Sequence, residues 1–268
     1  MLERPADALV EPTIEKVPAK AIKPEPEVDA PVVVPLLPGP QTVARKIKFG
    51  LVTATSIASL VFGTSAVLVA FSGYSRLGAL LLIGSVVCDG LDGPLARKFG
   101  VATPFGAQLD SLVDMCSFGV AAPVVSYVWL THAGAPIFLV APSCLLIAAG
   151  AALRLARFNV SPKNSKYFCG VPTTLAAGIL AMFALLVRNP ATMWWLSLLV
   201  GMLAILMVST FPYANLTRVL RLPPWLWLGV VAGVVLIDAT VTFIAVVTVY
   251  LVSGPLLWMR QRHVLASR

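Results

Sequence analysis

The chain has 268 residues, 58% of them hydrophobic and only 12% charged, with a formal net charge of +8. Soluble domains carry about 25% charged residues. Apolar runs close to the roughly 20 residues of a membrane span recur after the first 40 residues, so a soluble fold is excluded and an all-α, multi-pass transmembrane bundle is expected.

Residues 1–40 hold nine prolines and seven of the twelve acidic residues: Glu3, Asp7, Glu11, Glu15, Glu25, Glu27 and Asp29. Proline at this density forbids a long helix. The segment reads as a disordered cytoplasmic tail, either a linker or an extended Pro-rich partner site, and not as a signal peptide. Residues 41–268 read as the membrane domain.

Spans are predicted near 49–71, 77–98, 104–131, 136–157, 171–188 and 193–211. The block 225–258 is long for one helix, and a pair of short helices with Asp238 near their turn gives about eight spans, with seven as the alternative. Arg45, Lys46 and Lys48 precede the first span, and Arg97 and Lys98 follow the second. Arg154, Arg157, Lys163 and Lys166 follow the fourth, and Arg218 and Arg221 follow the sixth. Only Arg76 and Arg188 fall on the other side. Positive residues mark the inside, so both termini are expected on the cytoplasmic side of the plasma membrane. Trp194, Trp195, Trp225, Trp227 and Trp258 read as an interface belt. The four cysteines lack metal-type spacing and read as small apolar helix residues, and His132 and His263 receive no role.

After residue 40 only five acids remain, and four lie in one stretch: Asp89, Asp92, Asp110 and Asp114. An acid inside a membrane segment is by default a functional-site hypothesis. The pairs are spaced i, i+3 and i, i+4, so each shares a helix face. A short turn between antiparallel helices brings all four together on the cytoplasmic side. Such a cluster needs divalent cations or protons, and oxygen ligands suit Mg²⁺, Mn²⁺ or Ca²⁺. Two such ions roughly 4 Å apart would suit an in-line displacement at a pyrophosphate. Arg97, two turns beyond Asp89, reads as a phosphate contact or as a snorkelling interface arginine. Ser56 and Ser59 line a pocket or pack helices.

The segment fits D-x2-D-G-x2-A-R-x8-G-x3-D-x3-D at every fixed position: Asp89, Asp92, Gly93, Ala96, Arg97, Gly106, Asp110 and Asp114. This resembles the signature of the CDP-alcohol phosphatidyltransferase family, over about residues 45–260. The resemblance implies a six-helix core extended here by a C-terminal pair. It implies transfer of a phosphatidyl group from CDP-diacylglycerol to an alcohol, with release of CMP. It also implies a two-metal Mg²⁺ or Mn²⁺ site with Asp89, Asp92 and Asp110 as ligands. Asp114 would touch the second metal and serve as general base, with Gly93, Ala96, Arg97 and Gly106 along the CDP moiety. By analogy the partners are membrane lipids and a second copy of the chain, with no nucleic acid.

Met115 follows the last aspartate, where members using inositol phosphate or glycerol phosphate tend to carry a basic residue. The segments "LRLARFNV" and "YFCGVPTTLAAG" resemble the membrane-integral bacterial members that use L-serine, departing at Val171 and Thr174. Arg154 and Arg157 share a face and offer an acceptor or phosphate contact, or positive-inside anchoring. Other readings are the same chemistry with another small alcohol, a cation or proton transporter, or a scaffold acting through the tail.

Overall fold

Long apolar runs separated by short polar or glycine breaks build the helices. The computed structural model describes residues 35–160, 168–187, 193–209, 211–213, 234 and 238–266. Helix α1 spans Val43–Phe71 and α2 spans Ser75–Phe99. The third span, Pro104–His132, is one rod in three parts: α3 (Pro104–Asp114), a π-helical segment (Met115–Ala121) and α4 (Ala122–His132). Then come α5 (Ile137–Val160), α6 (Thr173–Leu186), α7 (Met193–Val208) and α8 (Ala239–Ala266). A two-residue antiparallel ladder pairs β1 (Phe168–Cys169) with β2 (Pro212–Tyr213).

Among the described residues, four helical rods are long and apolar enough to cross a membrane, with shorter apolar helices at Thr173–Leu186, Trp195–Val208 and Ala239–Pro255. The protein is thus the multi-pass helical membrane bundle that its hydropathy predicts. Its first six spans match the expected ranges to within a few residues. Residues 1–34 of the tail, the stretch 225–233 where the first member of a C-terminal pair is expected, and Lys163, Lys166, Arg188, Arg218, Arg221, Trp225 and Trp227 lie outside the described residues. The helix expected as the second of such a pair begins at Ala239 and is 28 residues long, running past the expected end at residue 258. Asp238 caps its start: the carboxylate accepts from Thr240 N at 2.6 Å and Val241 N at 3.3 Å.

Packing follows membrane rather than aqueous rules. Small residues sit where helices cross: Ala66, Ala70 and Ala79 are fully buried, beside Leu82, Phe118 and Ile147. Large apolar side chains such as Leu68, Phe138, Leu145 and Val249 face outward, as in a bundle solvated by lipid. Cys88, Cys116 and Cys144 are free thiols.

Two described endpoints fix the path of the last helix. Pro212–Tyr213 pairs with Phe168–Cys169, just before the start of α6. Thr240 Oγ1 instead donates to Leu186 O, at the far end of α6. Helix α8 therefore starts at the end opposite the ladder and returns along α6. That path brings Tyr250 back to the end where the aspartates lie.

Candidate active site

The site begins with how α2 stops and α3 starts. Gly100, at φ +65°, takes the left-handed conformation that closes α2, a position that glycine fills without strain. Gly100 N donates to Arg97 O and Val101 N to Ala96 O, which satisfies the last carbonyls in the manner of a Schellman cap. Thr103 then caps α3 by accepting from Gly106 N at 3.0 Å, and Pro104 occupies the first turn, where its missing N–H is harmless. The turn reverses the chain within a few residues and sets the two aspartate pairs face to face.

Asp89, Asp92 and Asp110 each offer a carboxylate oxygen, and these atoms lie within 4.8 Å of one another. Asp92 is buried and accepts from Ser56 Oγ at 2.8 Å. Asp114 stands beside this trio, with its carboxyl against that of Asp89. Its Oδ2 accepts from Thr173 Oγ1 at 3.4 Å, while Oδ1 is buried without a hydrogen-bond partner among the described residues. Thr174 Oγ1 donates to Asp89 Oδ2 at 3.2 Å. Four close carboxylates with an orphaned buried oxygen make a hard oxygen donor set, compatible with divalent cations.

Two cavities flank the cluster. One, of about 200 Å³, contains all four residues expected along the nucleotide, namely Gly93, Ala96, Arg97 and Gly106, together with Ser56, Asp92 and Asp110. Neither Gly93 nor Gly106 has positive φ, and a Cβ there meets only Arg97 Nη1 at 3.5 Å or Thr103 Oγ1 at 3.4 Å. Internal packing does not require these glycines, and both border the open space of the cavity. The other cavity, of about 330 Å³, is lined by Asp89, Asp114, Arg154, Thr173, Thr174 and Tyr250, among others, and shares Asp92, Gly93, Arg97 and Asp110 with the first.

The two expected acceptor arginines part company. Arg154 enters the second cavity and donates to Thr173 Oγ1 at 3.3 Å, with its Nε buried and unpartnered. Arg157 is exposed and donates to Val208 O at the end of α7, away from the aspartates. The two serines also divide: Ser56 lines the first cavity, whereas Ser59 bonds Ser85 and holds α1 to α2.

Thr173, Thr174 and Tyr250 are the additions that sequence reasoning missed. The loop before α6 fixes the threonines: Gly170 N donates to Phe211 O, Val171 N to Leu206 O, and Val171 is fully buried. In the sequence they lie within the segment "YFCGVPTTLAAG" and receive no role at the site. The π segment directly after Asp114 is a second unforeseen feature. Such segments recur at functional sites, where they reset which side chains face inward. Ser117 Oγ donates to Ser59 O at 3.3 Å, and Gly63 leaves the space that Ser117 fills.

A membrane-embedded helical bundle with a carboxylate centre and two adjoining cavities at one end is the class of protein defined here. A model of the CDP-alcohol phosphatidyltransferase family matches residues 50–211. A CDP-diacylglycerol–serine O-phosphatidyltransferase of Helicobacter pylori is 34% identical over 63% of this chain and 72% of its own length. The protein of that name from Methanocaldococcus jannaschii is 36% identical over 50% of this chain and 64% of its own. An archaetidylserine synthase of Methanothermobacter thermautotrophicus is 36% identical over 46% and 52%. The chain belongs to the CDP-alcohol phosphatidyltransferase family and is a transferase. Tyr250 lies outside the segment that the family model matches.

Proposed function

We propose that the protein transfers a phosphatidyl group from CDP-diacylglycerol to the hydroxyl of L-serine, giving phosphatidylserine and CMP. The observation that carries the reading is the joint cavity system: glycines and Arg97 on the donor side, Arg154 beside Asp114 on the other. Relatives named for serine transfer support the acceptor.

In this reading the membrane domain, 41–268, performs the reaction. The first cavity takes the cytidine diphosphate, with Gly93 and Gly106 allowing close approach and Arg97 contacting phosphate oxygens. Asp89, Asp92 and Asp110, with Asp114 on the second ion, would hold Mg²⁺ or Mn²⁺. When bound, these cations supply charge stabilisation for the phosphoryl oxygens and the leaving group. Asp114 accepts the proton of the serine hydroxyl as its oxygen attacks the phosphorus that carries diacylglycerol. The new P–O bond replaces the one to CMP, which leaves with its phosphate. General-base help is needed because a neutral hydroxyl is a weak nucleophile. The donor lipid enters sideways from the bilayer, and the basic residues at this end support a site on the cytoplasmic side of the plasma membrane.

The test is an acceptor comparison. Purified protein receives CDP-diacylglycerol and Mn²⁺ with labelled L-serine, inositol phosphate or glycerol 3-phosphate. The expected outcome is label entering lipid with serine alone. Label entering only from another alcohol retains the mechanism and rejects serine.

A further inference from the structure

Arg154 and Asp114 carry opposite charges on neighbouring helices, yet they do not pair directly. The side chain between them is Thr173, 1% exposed, on the first turn of α6. Its hydroxyl accepts from Arg154 Nη1 at 3.3 Å and contacts Asp114 Oδ2 at 3.4 Å. A guanidinium only donates, so the single hydroxyl proton of Thr173 is directed to the carboxylate. Opposite charges at 4 Å attract by roughly 4 kcal/mol at an effective dielectric of 20, so something must keep these two apart.

Each group also retains one buried atom without a hydrogen-bond partner among the described residues, Arg154 Nε and Asp114 Oδ1. A buried polar atom left unpaired costs about 1–3 kcal/mol, so a ligand that satisfies both sides is strongly favoured. The guanidinium wants an acceptor, and the carboxylate wants a donor or a cation. A hydroxy acid offers both from one small molecule.

We propose that Thr173 is a spacer that holds Arg154 and Asp114 apart, so that Arg154 takes the carboxylate of a hydroxy-acid acceptor while Asp114 faces its hydroxyl. The proposal rests on the serine reading above and adds the residue that sets selectivity for acceptors bearing a carboxylate. Thr173 suits the task. It is β-branched and stiff at χ1. The chain two residues before it is anchored by the hydrogen bond from Val171 N to Leu206 O, which limits how far it can shift. Thr174 performs a parallel service on Asp89, which keeps both members of that carboxyl pair oriented. Tyr250, returning on α8, completes the lining near Arg154. Without the Thr173 hydroxyl, Arg154 collapses onto Asp114, and each neutralises the other.

The experiment is calorimetric titration of the full-length protein, in detergent with Mg²⁺ and CDP present, using L-serine and ethanolamine as probes. CDP affinity is measured separately. Thr173→Val keeps the shape and removes the hydroxyl; Thr173→Ser restores it. The expected result is serine binding weakened at least about tenfold in Thr173→Val and restored to within about threefold in Thr173→Ser, with CDP affinity unchanged and ethanolamine weak throughout. Serine affinity unchanged in Thr173→Val overturns the spacer and leaves the serine reading intact. Equal losses for serine and CDP make Thr173 merely structural, which also overturns it. Ethanolamine binding as tightly as serine overturns the role given to Arg154. Failure of the wild type to bind serine at all contradicts the serine reading itself, and the spacer proposal with it.

Discussion

Asp114 differs from the other three aspartates in its surroundings. Asp89, Asp92 and Asp110 converge on one another, whereas Asp114, lying against Asp89, has the Arg154 guanidinium on the far side of the Thr173 hydroxyl it accepts from. That difference suits a proton acceptor rather than a plain ligand. Asp114→Asn is expected to lower turnover by about a hundred- to ten-thousand-fold, the usual worth of general-base help, while CDP-diacylglycerol binding survives. Steady-state turnover beside equilibrium binding checks this, and near-normal turnover would remove Asp114 from the role of base. Gly93 makes a second test, because only Arg97 Nη1 lies near the place of a Cβ. Gly93→Ala is expected to weaken CDP binding with no fall in thermal stability. A loss of stability with binding intact would mean that the glycine serves packing. The aspartates and glycines were legible in the sequence because their spacing lies within two adjacent helices. The contacts of Thr173 and Thr174 were not: their segment stood out in the sequence, but they reach Asp114 and Asp89 across 59 and 85 residues of chain.

At the level of elements, the third span shows what hydropathy does and does not reveal. Its limits, Pro104–His132, agree with the expected 104–131 because apolar length is a one-dimensional property. The π segment within it was invisible, since it depends on how Ser117 meets α1. A Cβ on Gly63 would stand 2.7 Å from Ser117 Oγ and 3.0 Å from Ser117 Cα, closer than such atoms approach. Gly63→Ala is therefore expected to push the π segment away from α1 and displace Asp114. Overpacking of this kind destabilises by about 1–3 kcal/mol. The predicted signature is a lower unfolding temperature together with reduced turnover. An unchanged melting curve and full activity would show that the segment adapts freely. The serines also illustrate the limit of sequence reading: Ser56 and Ser59 look alike in the chain, yet one bonds Asp92 and the other bonds Ser85. A three-residue step along α1 turns the side chain from one neighbour to the next.

For the whole molecule, the bundle and its chemistry sit at different depths. Four carboxylates, two arginines and two threonines gather where α2, α3, α5 and α6 meet at one end, and α8 adds Tyr250 from beyond the family-matched region. A site confined to one end suits a reaction between a lipid and a soluble alcohol better than passage of an ion through the bundle. The number of helices before α8 was hard to read from the apolar block 225–258, because its length fits neither one span nor two; the cap at Asp238 is what marks the start of α8. The central claim is chelator-sensitive, serine-dependent cleavage of the CDP-lipid at the aspartate cluster. The measurement that tests it most directly is CMP release by the purified protein from CDP-diacylglycerol, with and without L-serine, before and after EDTA. Release that requires serine, stops with EDTA and returns on adding excess Mg²⁺ or Mn²⁺ is the predicted result. Serine-dependent release that continues in EDTA, or no release from folded protein with any acceptor, would contradict it.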